Sequence, residues 1–193
     1  MKRISIMAIL IVGVGTVIGV GYFLSKEKIT PVTTKTSGSE TMNTVKLVDF
    51  SQINSEFLFS AEIPKELEVE YIPQLKAINI YNPSLTSQTS IEKSQLYISF
   101  FKANRFLTLN TVDITKQDKI TIKEREAILY EITKKDGIPN FYGQPMWRNT
   151  KHEALDIRLT QTNPSYFYSF AQNPNLSQKI FDDVINSLIF IDN

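Results

Sequence analysis

Between Gln144 and Arg158 stand the chain's only tryptophan, Trp147, its only histidine, His152, and two arginines, Arg148 and Arg158, with Asp156 among them. Guanidinium groups hold carboxylates and phosphates through paired N–H donors, and an imidazole can add one more donor. If residues 148 to 158 ran as one strand, Arg148, His152, Asp156 and Arg158 would share a face opposite Leu155, Ile157 and Leu159. Such a face suits an anion, which makes Trp147, Arg148, His152, Asp156 and Arg158 the candidate ligand-binding residues. It does not suit acid–base catalysis. Strand residues four apart are separated by about 13 Å, so His152 and Asp156 could share a proton only on a helix, and the alternation Leu155-Ile157-Leu159 speaks for a strand. The competing account is structural: Arg158 pairs across a sheet, His152 lies on the surface and Trp147 fills the core.

Other site chemistries lack their raw material. One histidine and no cysteine cannot build an imidazole-rich or thiolate metal site, and there is no H-E-x-x-H and no spaced Asp loop for calcium. No G-x-S-x-G marks a nucleophile. Of seven glycines, four fall between Ile4 and Leu24, leaving little for a phosphate loop. Glu66, Glu68 and Glu70 alternate with Leu67, Val69 and Tyr71 and read as the solvated side of a strand, because a catalytic carboxylate needs a desolvating pocket. No catalytic residue, metal or cofactor is therefore assigned.

The elements that must position these residues begin after a membrane segment. Ile4 to Leu24 carries no charge over 21 residues, enough for a helix about 30 Å long, the thickness of a bilayer's hydrocarbon core. Its exit, Gly21-Tyr22-Phe23-Leu24-Ser25, is a poor match to a signal-peptidase site, so an uncleaved anchor over residues 1–28 is preferred to a cleaved leader. Tyr22 would sit at the interface, and Gly15 and Gly19 form a G-x-x-x-G that would let two such helices approach. Lys2, Arg3 and the amino terminus outweigh Lys26 and Lys28, which places the N-terminus in the cytoplasm and the rest outside, a single-pass arrangement. Residues 29–46, rich in Thr and Ser, read as a disordered tether. The folded domain then covers residues 47–193. There, 15 lysines and arginines against 18 aspartates and glutamates leave a net charge of −3, without the basic patch that nucleic acid requires. The partners expected are the lipid bilayer, through Ile4–Leu24, and an envelope protein.

Within the domain the apolar period is mostly two. Phe57 to Ile63 and Leu67 to Tyr71 predict a hairpin about Pro64, and Lys76 to Tyr81 a third strand. Leu96 to Phe101, apolar on both faces, predicts a central strand. Asn104 to Thr115 fits neither period and is expected to be a short helix or a buried connector. Lys119 to Lys123 and Glu126 to Thr133 follow as strands, the second ending in the turn Lys134-Lys135-Asp136-Gly137. Glu153 to Thr160 and the aromatic Tyr166 to Ala171 are two more. The loop from Gly137 to Pro145, carrying Ile138, Phe141 and Tyr142, reads either as a lid on the sheet or as a partner-binding edge. Asn173-Pro174 predicts a helix start, and Leu176, Ile180, Val184 and Leu188, joined by Phe181 and Ile185, its buried stripe. Leu188 to Ile191 closes the chain as a last strand. The fold class is thus α+β: a mainly antiparallel, twisted sheet packed by a C-terminal helix and one or more further helices.

That order, with an aromatic strand and then a helix running straight into a terminal strand over Phe181-Asp182-Asp183-Val184-Ile185-Asn186-Ser187-Leu188-Ile189-Phe190, resembles the PsbP-like fold of the photosystem oxygen-evolving accessory proteins. The resemblance implies a non-catalytic binding and assembly module. Phe106-Leu107-Thr108-Leu109, Gln144-Pro145-Met146-Trp147-Arg148-Asn149, His152 and Asp156-Ile157-Arg158 also resemble an uncharacterised family of single-anchor bacterial surface proteins, from which no activity follows. The expectation is a membrane-anchored, extracytoplasmic binding or assembly module. The alternatives are an envelope hydrolase using carboxylates, or an anion-binding domain using Arg148, His152 and Arg158.

Overall fold

The computed structural model describes residues 44–86, 89–103, 106, 110–159 and 165–191. The expected anchor, Ile4–Leu24, and all of the tether up to residue 43 lie outside the described residues. Among the described residues, no helix is long and apolar enough to cross a membrane.

Two antiparallel sheets face one another across an aromatic core. The smaller contains Val45–Asp49 (β1), Phe59–Pro64 (β2) and, at the end of the chain, Ile189–Phe190 (β10), in the order β1-β2-β10. The larger has seven strands: Glu68–Ile72 (β3), Ala77–Tyr81 (β4), Ser94–Lys102 (β5), Val112–Ile122 (β6), Arg125–Lys134 (β7), His152–Arg158 (β8) and Tyr166–Gln172 (β9). Their spatial order is β3-β4-β5-β9-β8-β7-β6. One α-helix among the described residues, Gln178–Asn186 (α1), precedes β10. This is the α+β, mainly antiparallel architecture read from the periodicity. The further helices expected beside α1 do not occur among the described residues, where only 3-10 turns at Phe50–Gln52, Pro73–Leu75 and Met146–Asn149 are added.

Three expectations need correction. The hairpin about Pro64 does not form: β2 pairs with β1 and β10, whereas β3 pairs with β4 in the other sheet. Alternation reports which residues of a strand face inward but not which strand lies beside it, and the turn at Pro64 carries the chain from one sheet to the other. Second, the stretch expected as a helix or connector up to Thr115 is strand from Val112 onward, so β6 is an 11-residue edge strand rather than a short one at Lys119. Its pattern was hidden because an edge strand with solvent on both sides carries little apolar signal, and most of β6 is exposed. Residues 104–105 and 107–109 of that stretch lie outside the described residues. Third, the helix starts at Gln178 with Ser177 as its N-cap, not at Pro174. Asn173 is occupied elsewhere: its Nδ2 donates to the Ser94 carbonyl at 2.7 Å, and its Oδ1 accepts from Asn175 N at 2.9 Å. The stripe itself is as read, with Leu176, Phe181, Val184, Ile185 and Leu188 buried and Asp182 and Asp183 outside.

The core between the sheets is built from the inward side of each strand. Phe59 of the smaller sheet and Phe57 just before it meet Phe100, Tyr168 and Phe170 from the larger, with Phe57 stacked on Tyr168 at 5.6 Å between centroids. Offset-stacked and edge contacts of this kind add to the apolar area they remove from water. Tyr168 is fully buried, and its hydroxyl is not left orphaned: it donates to the Glu56 carbonyl at 2.8 Å and accepts from Leu58 N at 2.6 Å. That pair of bonds ties the entry to β2 onto the large sheet.

The β6–β7 hairpin turns on Lys123 and Glu124, both with positive φ, +47° and +65°. Two-residue turns of this hand favour Asn-Gly because other side chains crowd the backbone there. Lys123→Asn with Glu124→Gly is expected to raise unfolding free energy by about 1 kcal/mol in urea titrations. Tyr168→Phe is expected to lower it by about 1 to 3 kcal/mol, the cost of leaving two backbone groups without their partner. The same measurement checks both, and a neutral Tyr168→Phe would show that water replaces the hydroxyl.

Candidate functional site

The large sheet has a second side, turned away from the aromatic core, and the residues singled out in the sequence lie there. Register places Ala77, Ser99, Ser169, Asp156 and Ile128 in one row across five strands. The next row runs Asn79, Tyr97, Ala171, Ala154 and Tyr130. Small residues at Ala154 and Ala171 leave room above the sheet, and the segment from Gly137 to Thr150 folds down into it. Gly143 supports that descent with φ +72° and a position 3.1 Å from Leu75 Cδ1 that a Cβ would crowd.

Residues 148 to 158 are not one strand. Arg148 lies in the 3-10 turn Met146–Asn149, and β8 starts only at His152. The turn nevertheless brings Arg148 back over the sheet. Its guanidinium lies 5.4 Å from the Tyr97 ring centroid and 5.6 Å from that of Phe141, so the charged end is deep although the residue as a whole is half-buried. Burial pushes its pKa down, opposed by Tyr97 and Asp156. Such cation–aromatic contacts stabilise a guanidinium without a hydrogen-bond acceptor. Trp147 packs edge-on to His152, with centroids 5.3 Å apart and planes at 83°.

His152 is buried, not on the surface as the structural account had it, with 5% of its area exposed. Its Nδ1 lies 2.7 Å from the Thr150 carbonyl, which can only accept, so Nδ1 carries the hydrogen in the neutral ring. Burial lowers its pKa to about 4, with Arg148 adding to the effect and the Thr150 bond opposing it. Asp156 is equally buried, and desolvation raises its pKa to about 6 against the pull of Ser169, Arg158 and Arg148. Tyr97 is raised to about 12 by burial, with Arg148 opposing. Among the described residues, Tyr97 Oη, Trp147 Nε1 and His152 Nε2 are buried without a partner.

Arg158 stands apart from this group. Its Nε is 3.2 Å from Glu126 Oε2, one Nη donates to Ser165 Oγ at 2.8 Å, and its guanidinium lies 4.2 Å from the Phe106 centroid. Ser165 Oγ in turn donates to the Ala103 carbonyl at 2.6 Å. The Glu126 contact is the cross-sheet ion pair expected on the structural account and joins β8 to β7, while the Ser165 link holds the ends of β5 and β9 together. So Arg148, His152, Asp156 and Trp147 gather on one part of this face, and Arg158 lies on the same face further along β8, beside Phe106 and Glu126. The loop lies over the sheet, with Phe141 6.5 Å from Tyr97 between centroids, while Phe141, Tyr142 and Met146 also reach solvent.

The open concavity lies elsewhere, at one end of the space between the sheets. A cleft of about 500 Å³ is lined by Phe100, Tyr166 and Tyr168 of the large sheet and by Glu56, Phe190 and Ile191 on the other side, with Lys102 and Arg125 at its margin. Phe100 and Tyr166 stack at 5.5 Å and 12°. The Lys102 ammonium stands 5.6 Å from the Tyr166 centroid, and the Arg125 guanidinium 4.6 Å from that of Phe190 while it donates to the Leu159 carbonyl. Sequence reading marked Tyr166 to Ala171 as aromatic but not this cleft, because its walls come from both sheets. Among the described residues, no group of three His, Asp or Glu side chains is placed to hold a metal ion.

No family model and no curated protein matches the chain. Among solved structures, it is similar to the solution structure of cyanobacterial PsbP (CyanoP) from Synechocystis sp. PCC 6803, at 9% identity over 80% of this chain and 96% of that one, with a TM-score of 0.46. It is also similar to a crystal structure from Bacteroides thetaiotaomicron VPI-5482, at 16% identity and a TM-score of 0.39, covering 76% of this chain. The chain spans about half (48%) of the length of that second protein. These likenesses concern the course of the chain and carry no activity with them.

The two buried titrating groups make opposite demands on stability. From about pH 6.5 down to 4 the unfolded chain takes a proton on His152 that the folded one refuses, so this term weakens the fold on acidification. From about pH 6 down to 3.8 the folded chain takes a proton on Asp156 that the unfolded one does not, so this term strengthens it. Over the shared window they nearly cancel. Asp156→Asn is expected to be more stable than the parent above pH 6, by on the order of 3 kcal/mol or less, with the advantage gone near pH 4. Unfolding titrations from pH 4 to 8 read this directly, and a constant difference across that range would refute the assignment of the raised pKa to Asp156.

Proposed function

We propose that the chain is a membrane-anchored, extracytoplasmic binding or assembly module with no catalysis of its own. One observation carries the reading: Asp156, the acid whose proton affinity is moved toward neutral pH, and the widest of the open recesses are in different places. Asp156 on β8 and Arg148, which reaches toward it from the 137–150 segment, line none of the three recesses that stand out among the described residues; His152 borders one of them, beside Lys151 and Gln178. The largest of the three offers aromatic rings and two cations, with no histidine. An active site needs its perturbed acid or base inside the pocket that takes the substrate. A binding site needs the reverse: apolar walls, a few fixed charges and no reacting group.

The apolar segment Ile4–Leu24 and its flanking cations support a single anchor with the domain outside the cytoplasm. The hydrolase alternative rests on Asp156, whose raised pKa is what a general acid would require, and it would need the lid to lift away from the sheet. The anion-binding alternative loses the open polar face it was built on, since Arg148 and Arg158 are committed to Tyr97 and to Glu126.

Fractionation of cells making the full chain tests the proposal. The protein is expected in the membrane pellet, released by detergent and not by high salt, and its domain is expected to be digested by protease added outside intact cells. Full-length chain dispersed in the cytosol, or a domain protected until cells are broken, would overturn it.

A further inference from the structure

We propose that the cleft between the two sheets is a binding site for a small, flat, apolar carboxylate, held between Tyr166 and Phe190 with its charge against Lys102. The assignment rests on reading the domain as a binding module and adds the class of molecule bound.

The walls define the apolar part. Tyr166 and Phe190 are only half-buried, although both belong to the aromatic system between the sheets. Tyr166 is held by its stack on Phe100, and Phe190 by a tilted contact with Phe59 and by the Arg125 guanidinium 4.6 Å from its centroid. Both rings therefore present fixed apolar surface, and a fixed surface loses little entropy when a flat group settles on it. Tyr168, at the base, has its hydroxyl satisfied by the backbone at Glu56 and Leu58, so it faces the cleft as a ring rather than as a donor. A volume of about 500 Å³ is in the range of small-molecule sites.

The charges define the other end. Among the described residues, Lys102 and Arg125 line the cleft with one carboxylate, Glu56, in a domain whose net charge is −3. Arg125 is fixed by the Leu159 carbonyl and Phe190. Lys102 makes no ion pair among the described residues, and its ammonium stands over the Tyr166 ring that the apolar group would touch. An ammonium at the end of an aromatic slot matches a carboxylate attached to a flat ring or short apolar body. A neutral apolar molecule would leave that charge unused, and a cation would be repelled.

The test uses the full chain in lipid nanodiscs, labelled with 3-fluorotyrosine, with the Tyr166 resonance identified through Tyr166→Phe and empty nanodiscs as the blank. Sodium 1-naphthoate is titrated against its neutral counterpart, 1-naphthamide. The expected result is a saturable shift at Tyr166 with naphthoate, a weaker response to naphthamide, and a loss of about threefold or more in naphthoate affinity in Lys102→Gln with naphthamide unaffected, the size of one exposed charge contact. Lys102 is exposed, so this variant is expected to fold as the parent does. Equal binding of acid and amide, naphthoate binding untouched by Lys102→Gln, or no saturable shift at Tyr166 would each overturn the assignment. So would a Tyr166 shift that follows protein concentration instead, which would place a second copy of the chain in the cleft. A chain that fractionates with membranes yet ignores naphthoate refutes this assignment alone, whereas a cytosolic chain that binds naphthoate refutes the anchored module and leaves the cleft standing.

Discussion

The two sheets depend on one buried ring. Tyr168 lies in the middle of the aromatic core with Phe57 stacked on its face, while its hydroxyl holds the backbone at both Glu56 and Leu58. Apolar packing alone would permit the small sheet to slide on the large one, because dispersion and area burial have little direction. Two hydrogen bonds to a fixed hydroxyl do have direction, and an unmade bond at that depth would be costly. They set the position of β2, and through β2 those of β1 and β10. The cleft, whose walls belong to both sheets, inherits its width from this contact.

The far side of the large sheet follows a different logic. There the layer under the lid mixes Tyr97 and Trp147 with Arg148, His152 and Asp156, and burial moves every titrating group toward its neutral form. Arg148 stays charged and is stabilised by ring faces rather than by a salt bridge. A layer of this kind adds less stability than an apolar one of the same area, because each polar group must be desolvated first. What it adds is direction: the Thr150 carbonyl fixes the end of the covering segment on His152, while the Ser169 bond to Asp156 joins β9 to β8 beneath it.

Together the two sides separate reactivity from access. Among the described residues, His152 and Asp156 are buried, and the widest open recess is lined mainly by aromatic rings with Lys102, Arg125 and Glu56. That division of the molecule is why a binding role fits the geometry better than hydrolysis, and why the residues that first attracted attention in the sequence are not those that line the cleft.

Much of the architecture was legible in the residue order. Period-two runs located β4, β5, β7, β8 and β9, and the four-residue spacing of Leu176, Ile180, Val184 and Leu188 located the buried face of α1, since burial on one side writes itself into local sequence. The apolar run Ile4–Leu24 and the absence of cysteine are likewise properties of the chain itself. Three things could only be settled in three dimensions. Strand partnership was one, because β2 and β3 alternate as a hairpin would and yet belong to different sheets. The environment of His152 and Asp156 was another, because a lid brought from 137–150 decides whether a polar residue on a strand meets water or protein. The cleft was the third: Tyr166, Lys102, Arg125 and Phe190 are far apart in sequence, and they meet only because long-range pairing, which leaves no local period, stacks one sheet on the other.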